Sequence, residues 1–205
     1  AANRSKKDAR LNRRPDIAAI GDAGNFIVAL AERLGESKKM DRVLAMALGA
    51  GETTVYRMAG AYSTFVNGGR LVQPHLIELV QDRNGETIFR ADKRDCPRCD
   101  AGFNGDESPR IPPTGAQLMD PITAYQVVSM AQGVVERGTA TVVKSVGKTL
   151  GGKTGTTNDY KDAWFVGFSP DMAVGVYMGY DRPRSLGGSA TAGRYAAPIF
   201  RDFMK

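Results

Sequence analysis

Apolar residues in the first third of the chain recur at helical spacing. Phe26, Ile27, Leu30 and Leu34 fall on one face, and Gly35 stops the run. This predicts a helix from Asn25 that packs on a core. Leu44 to Ala50 is a small-residue segment closing in a glycine turn at Gly49 to Gly51. A second helix is expected directly after Thr54, a capping residue type, because Val55, Met58, Ala59, Tyr62, Phe65 and Val66 follow at three- and four-residue steps until Asn67-Gly68-Gly69. Met58 and Tyr62 read as core. Leu71 to Leu79 and Glu86 to Arg90 then read as two strands around Asp82-Arg83-Asn84-Gly85, a hairpin-type turn, with His75 in the first strand.

Asp120-Pro121 is a helix start, since aspartate caps free N–H groups and proline suits the first helical position. That helix runs through Tyr125, Val128 and Ala131 to about Arg137, with Gly138 as its end, and Thr139 to Val146 leads into the next strand. Ala163 to Phe168 and Met172 to Met178 are apolar runs joined by Ser169-Pro170-Asp171, which predicts another hairpin. Three strands connected this tightly pair antiparallel, and a last helix around Ala196 to Phe203 would cover one face of them. The expected fold class is α+β, an antiparallel sheet flanked by helices.

A chain of 205 residues is long enough for one well-buried domain, or one domain with a small lobe. No apolar run approaches the roughly 20 residues of a membrane span, and the N-terminus lacks a signal-peptide pattern. Any membrane contact would run through an anchor outside these residues. The net charge of +6 is concentrated in residues 1–14, where Arg4, Lys6, Lys7, Arg10, Arg13 and Arg14 oppose only Asp8. Residues 1–24 therefore read as a basic, irregular arm, and nucleic-acid binding is not expected of a fold whose remainder is nearly neutral.

Cys96-Pro97-Arg98-Cys99 lies in the loop from Ala91 to Gln117, which is rich in proline and glycine. A local disulfide formed in an oxidising compartment is the first expectation, with reduced thiols or a shared metal ion as alternatives. The chain's single histidine, His75, is expected to be structural, and no metal or cofactor is expected.

The stretch with most chemistry is Thr149-Leu150-Gly151-Gly152-Lys153-Thr154-Gly155-Thr156-Thr157. Closely spaced glycines suit a strand onto which another backbone can lie. Lys153 supplies a fixed positive charge there, and the hydroxyls of Thr154, Thr156 and Thr157 supply directed hydrogen bonds of the kind a carboxylate accepts. The expectation is a sheet-edge strand bordering the main groove, paired with the strand of Trp164.

The chain resembles the C-terminal part of the transpeptidase domain of class A penicillin-binding proteins, the bifunctional peptidoglycan synthases. The resemblance is carried by Ala47 to Thr54, Met58 to Gly69, Gly133 to Ala140, Gly151 to Asp159 and Asp162 to Gly167, in the family's order, and extends over about Gly24 to Lys205. It implies part of the fold shared with serine β-lactamases, with residues 25–205 in the transpeptidase domain and an inserted hairpin and cysteine loop at about 70–117. It also implies cross-linking of peptidoglycan stem peptides, penicillin binding, a separate glycosyltransferase domain, and a place on the periplasmic side of the bacterial inner membrane. No oligomeric state follows from it.

The family's site combines Ser-x-x-Lys, Ser-x-Asn and Lys-Thr-Gly. By motif, Lys153 would stabilise negative charge, Thr154 and Thr156 would hold the donor carboxylate, Gly155 would let the peptide pair with the strand, and a strand N–H near Thr156 would form part of the oxyanion hole. The other two motifs depart from the pattern. The only Ser-x-x-Lys is Ser145-Val146-Gly147-Lys148, five residues before Lys153 on the same approach, where a nucleophile facing the strand cannot be. The nearest approach to Ser-x-Asn is Ser5-Lys6-Lys7, with lysine in place of asparagine. The expected function is that of a D-alanyl-D-alanine transpeptidase fragment whose nucleophile lies elsewhere in the intact protein. The alternatives are a catalytically inactive relative that binds peptidoglycan or a partner and, behind it, β-lactam hydrolysis.

Overall fold

A computed structural model of the chain describes residues 27–35, 41–43, 45–46, 49, 51–96, 99, 102, 105 and 111–205. The arm expected over 1–24, with Ser5-Lys6-Lys7, lies outside the described residues, as do Phe26, most of Leu44 to Ala50, and Pro97 and Arg98. The architecture is set by one three-stranded antiparallel sheet, β3 (Gly151–Thr156), β4 (Asp162–Phe168) and β5 (Ala173–Gly179), in the order β3-β4-β5. β4 is central and buried along most of its length, which is why Ala163 to Phe168 reads as a continuous apolar run rather than an alternation.

Its two faces carry different partners. Phe165 meets Phe200 of α4 (Ala196–Met204) with ring centroids 5.0 Å apart, and that side holds the main core of Val135, Ala140, Val143, Leu150, Ala163, Phe165, Ala197, Phe200 and Met204. The other side packs against α2 (Val55–Val66), while α3 (Pro121–Glu136) lies beside β3, meeting α2 and also giving Val135 to the main core. On the α2 side Tyr62 lies 6.3 Å from Phe168 and 5.8 Å from Phe65, so Tyr62 belongs to the packing as expected. Helices on both faces of an antiparallel sheet give the α+β class.

The helix ends follow the predicted chemistry. Thr54 Oγ1 accepts from Arg57 N at 3.3 Å. Asp120 Oδ1 accepts from Ile122 N at 2.8 Å and Thr123 N at 3.4 Å, with Pro121 at the first helical position. The first helix, α1 (27–33), ends at Gly35, and Arg33 Nη2 donates to Leu118 O at 2.7 Å, which ties it to the approach to α3.

Two segments differ from expectation. The first strand of the early hairpin, expected over Leu71 to Leu79, is only β1 (Leu79–Gln81), paired with β2 (Thr87–Arg90). The preceding residues find partners elsewhere: Leu71 N donates to Ala116 O, Val72 N donates to Thr64 Oγ1, Pro74 has no N–H, and its carbonyl accepts from the Tyr56 hydroxyl. His75 consequently sits before β1, with Nε2 2.5 Å from a Glu78 carboxylate oxygen. Thr141–Val146, expected as a lead-in, winds into a 3₁₀ helix ended by Gly147. Cys96 and Cys99 form a disulfide, the first of the three expectations for that pair.

Candidate active site

Register decides what β3 presents. The β4–β5 turn is closed by Ser169 N donating to Met172 O at 2.8 Å, so alternate residues of β4 from Phe165 to Ser169 aim their backbone groups at β5. The residues between them, Asp162 to Phe168, therefore aim at β3. Thr157 N donating to Asp162 O agrees with this, and β3 pairs Lys153 with Val166 and Gly155 with Trp164 in the same ladder. By elimination the backbone N–H and C=O groups of Gly152, Thr154 and Thr156 face the other way, along the edge of the sheet that no other strand among the described residues pairs. Gly152 is required on this strand for a second reason: a Cβ there would strike the Phe165 ring and the Val166 carbonyl.

Side chains decorate that edge from both faces. Lys153 is exposed on the α2/α3 side, and its Nζ donates to Thr154 O at 2.7 Å, so the ammonium folds over the edge. A carbonyl is neutral, so the bond leaves the charge uncompensated. On the opposite face, Thr154 Oγ1 lies 2.6 Å from Thr139 Oγ1, and Thr156 Oγ1 accepts from Ala192 N at 3.0 Å. Gly155 shows only Trp164 Cβ at ordinary contact distance from where its own Cβ would be, and Trp164 lies 4.8 Å from Tyr177. Thr157 stands one residue past β3. Its Oγ1 accepts from Asp162 N at 3.0 Å, which commits that hydroxyl to the β3–β4 link. In that link Asp159 and Tyr160 adopt positive φ, and Leu186 N donates to Tyr160 O.

Lys153, Thr154, Gly155 and Thr156 are thus brought together on one open edge. They do not line the nearby concavity among α2, α3 and β4, which is bordered by Val66, Val128, Gln132, Gly151 and Phe168 at the far end of β3. Ser145 and Lys148 stay apart from the edge. Ser145 Oγ donates to Val142 O within the 3₁₀ helix, and Lys148 Nζ donates to Met204 O at the end of α4.

Residue-by-residue reading missed Thr139 and the Ala192-Gly193 turn. The available signal for Thr139 was its place in the Gly133 to Ala140 segment, directly behind the end of α3. What the edge offers chemically is outward backbone N–H and C=O groups that no strand among the described residues pairs, the Thr154 carbonyl being shared with Lys153 Nζ, with a cation and hydroxyls beside them.

A three-stranded antiparallel sheet with a Lys-Thr-Gly edge strand and helices packed around it defines the class. The family model described as the penicillin binding protein transpeptidase domain matches residues 27–205. The chain belongs to that family. Among its relatives it is 45% identical over 181 residues to penicillin-binding protein 1A of Rickettsia bellii, covering 87% of this chain and 23% of that protein. It is 43% identical over 187 residues to penicillin-binding protein 1A of Neisseria gonorrhoeae, covering 91% and 21%. The solved penicillin-binding protein 1A of Haemophilus influenzae superposes with a TM-score of 0.72 at 28% identity, over 92% of this chain and 31% of that one. The chain thus spans under a quarter of the length of these two sequence relatives. Its similarity lies with class A members, and its fold is that of their transpeptidase domains.

Proposed function

We propose that the chain is the substrate-edge part of a peptidoglycan D-alanyl-D-alanine transpeptidase, working through a serine acyl-enzyme in the intact protein. The observation that carries this is the edge of β3, which no other strand among the described residues pairs and where a cation and two threonines flank the outward backbone groups. A stem peptide would lie along that edge as an added strand, with its terminal carboxylate near Thr154, Thr156 and Lys153 and its scissile carbonyl oxygen toward the outward N–H of Thr156. A serine from another part of the polypeptide attacks that carbonyl. The C–N bond to the terminal D-alanine breaks, and the amine leaves with a proton. An acceptor amine of a neighbouring strand then attacks the ester and frees the serine. Penicillins would acylate the same serine, their carboxylate taking the place of the peptide's. The setting is the periplasmic side of the inner membrane, reached through an anchor and a glycosyltransferase domain carried elsewhere in the protein.

In the intact protein, Lys153→Ala should slow acylation by fluorescent penicillin about 10²-fold, because an oriented charge in a partly dry site is worth several kcal/mol. Unchanged kinetics would refute the role of Lys153. A second reading, an inactive relative that binds peptidoglycan or a partner through the same edge, is favoured by one observation: the only Ser-x-x-Lys in the sequence, Ser145 to Lys148, is tied up in backbone hydrogen bonds. An intact protein that takes no label would select it.

A further inference from the structure

We infer that Thr139 is a positioning residue of this site, which sets the hydroxyl of Thr154 so that its proton points at a bound carboxylate; the inference rests on the carboxylate-binding reading given above. The two hydroxyl oxygens lie 2.6 Å apart, although the residues come from different elements, the exit of α3 and the middle of β3. A hydroxyl has one proton to give and two lone pairs to receive. A carboxylate only accepts. If Thr154 gave its proton to Thr139 it would have none for the ligand, so a bound anion selects the other polarity: Thr139 donates to Thr154, and Thr154 donates to the carboxylate. Hydrogen bonds aligned in this way reinforce one another.

The surrounding backbone holds Thr139 in place for this task. Arg137 N donates to Gly133 O and Ala140 N donates to Val134 O, which ends α3 on either side of Thr139. The Thr139 carbonyl meets Gly193 so closely that a Cβ at position 193 would collide with it. Ala192, the residue before, donates its N–H to Thr156 Oγ1 at 3.0 Å. The exit of α3 and the turn before α4 therefore grip the two threonines of β3 from the same face.

The test uses the intact protein and two probes, benzylpenicillin and its carboxylate methyl ester, with the second-order acylation rate as readout. Thr139→Val should lower the rate with benzylpenicillin about fivefold, the size of one neutral hydrogen bond, and leave the ester rate within about twofold. Thr139→Ser, which keeps the hydroxyl, should restore the acid rate. An equal fall with both probes, no fall with the acid, or failure of serine to rescue would overturn the positioning role. Thr154→Val separates the two layers of argument. If it lowers the acid-to-ester rate ratio while Thr139→Val does not, only the role of Thr139 is wrong. If neither variant changes the ratio, or the wild type reacts with neither probe, the carboxylate reading and the inference fall together.

Discussion

Thr156 carries a structural duty that its place in the motif does not announce. Its hydroxyl suits a carboxylate, yet its oxygen already accepts from the N–H of Ala192, a fully buried residue. Thr156→Val would leave that donor without a partner, and an unpaired buried N–H costs about 1–3 kcal/mol. Chemical denaturation should show a loss of that order for Thr156→Val and little loss for Thr156→Ser. His75 offers a second check at this scale. The hydrogen bond to Glu78 raises its pKa above the ordinary 6.5, helped by the Gln73 carbonyl. A raised folded-state pKa means that the pair stabilises fully below the unfolded value and that this contribution is lost as pH rises through the folded one. Titration by NMR should place His75 above 6.5, and Glu78→Gln should bring it down; a value at or below 6.5 in the unaltered protein would contradict the pairing. Neither the Ala192 bond nor the Glu78 pair was legible as such, because the first joins residues 36 apart in sequence and the second depends on where β1 begins.

Elements were legible where the chain carries its own punctuation. Asp120-Pro121 and Thr54 cap the helices they were expected to cap, and the Ser169-Pro170-Asp171 turn joins β4 to β5 in the predicted hairpin. The misjudged element is β1, where apolar composition suggested a strand from Leu71 but the backbone groups of Leu71 and Val72 are taken by Ala116 and by the Thr64 side chain. A side chain that competes for backbone donors from within a neighbouring helix leaves no periodic trace in the strand's own sequence. The same applies to the 3₁₀ helix of Thr141–Val146, in a segment expected only to lead into β3. Between elements, Phe165 packs against Phe200, and both are fully buried. Phe165→Ala should destabilise the fold by about 3–5 kcal/mol through lost burial and the cavity left behind. Opening the Cys96–Cys99 disulfide should shift the melting temperature far less, since that link closes a very short loop. Melting curves with and without reductant, beside that of Phe165→Ala, would reverse the ranking if it is wrong.

At the scale of the molecule, the proposed function would make the edge of β3 one half of a reaction centre. Acylation needs a serine whose proton is taken by a neighbouring base while backbone N–H groups stabilise the oxyanion. On the proposed reading the sheet would supply the second requirement through the outward N–H groups of Thr154 and Thr156. The first has one sequence candidate in this fold, Ser145, and its surroundings exclude it. Ser145 Oγ is bonded to Val142 O in the 3₁₀ helix, while Lys148 reaches Met204 O rather than the serine. Freeing the pair would require unwinding the approach to β3, where Val143 and Leu150 belong to the buried core. The 205-residue chain alone is therefore expected to form no covalent adduct with benzylpenicillin, in contrast to the intact protein under the proposed function. Intact mass after incubation, followed by peptide mapping of any adduct, decides this. Stoichiometric acylation at Ser145 would show that the core opens and that the chain holds a complete, rearranged site. Acylation at Ser5, in the basic arm, would place the nucleophile where the sequence has no lysine three residues on.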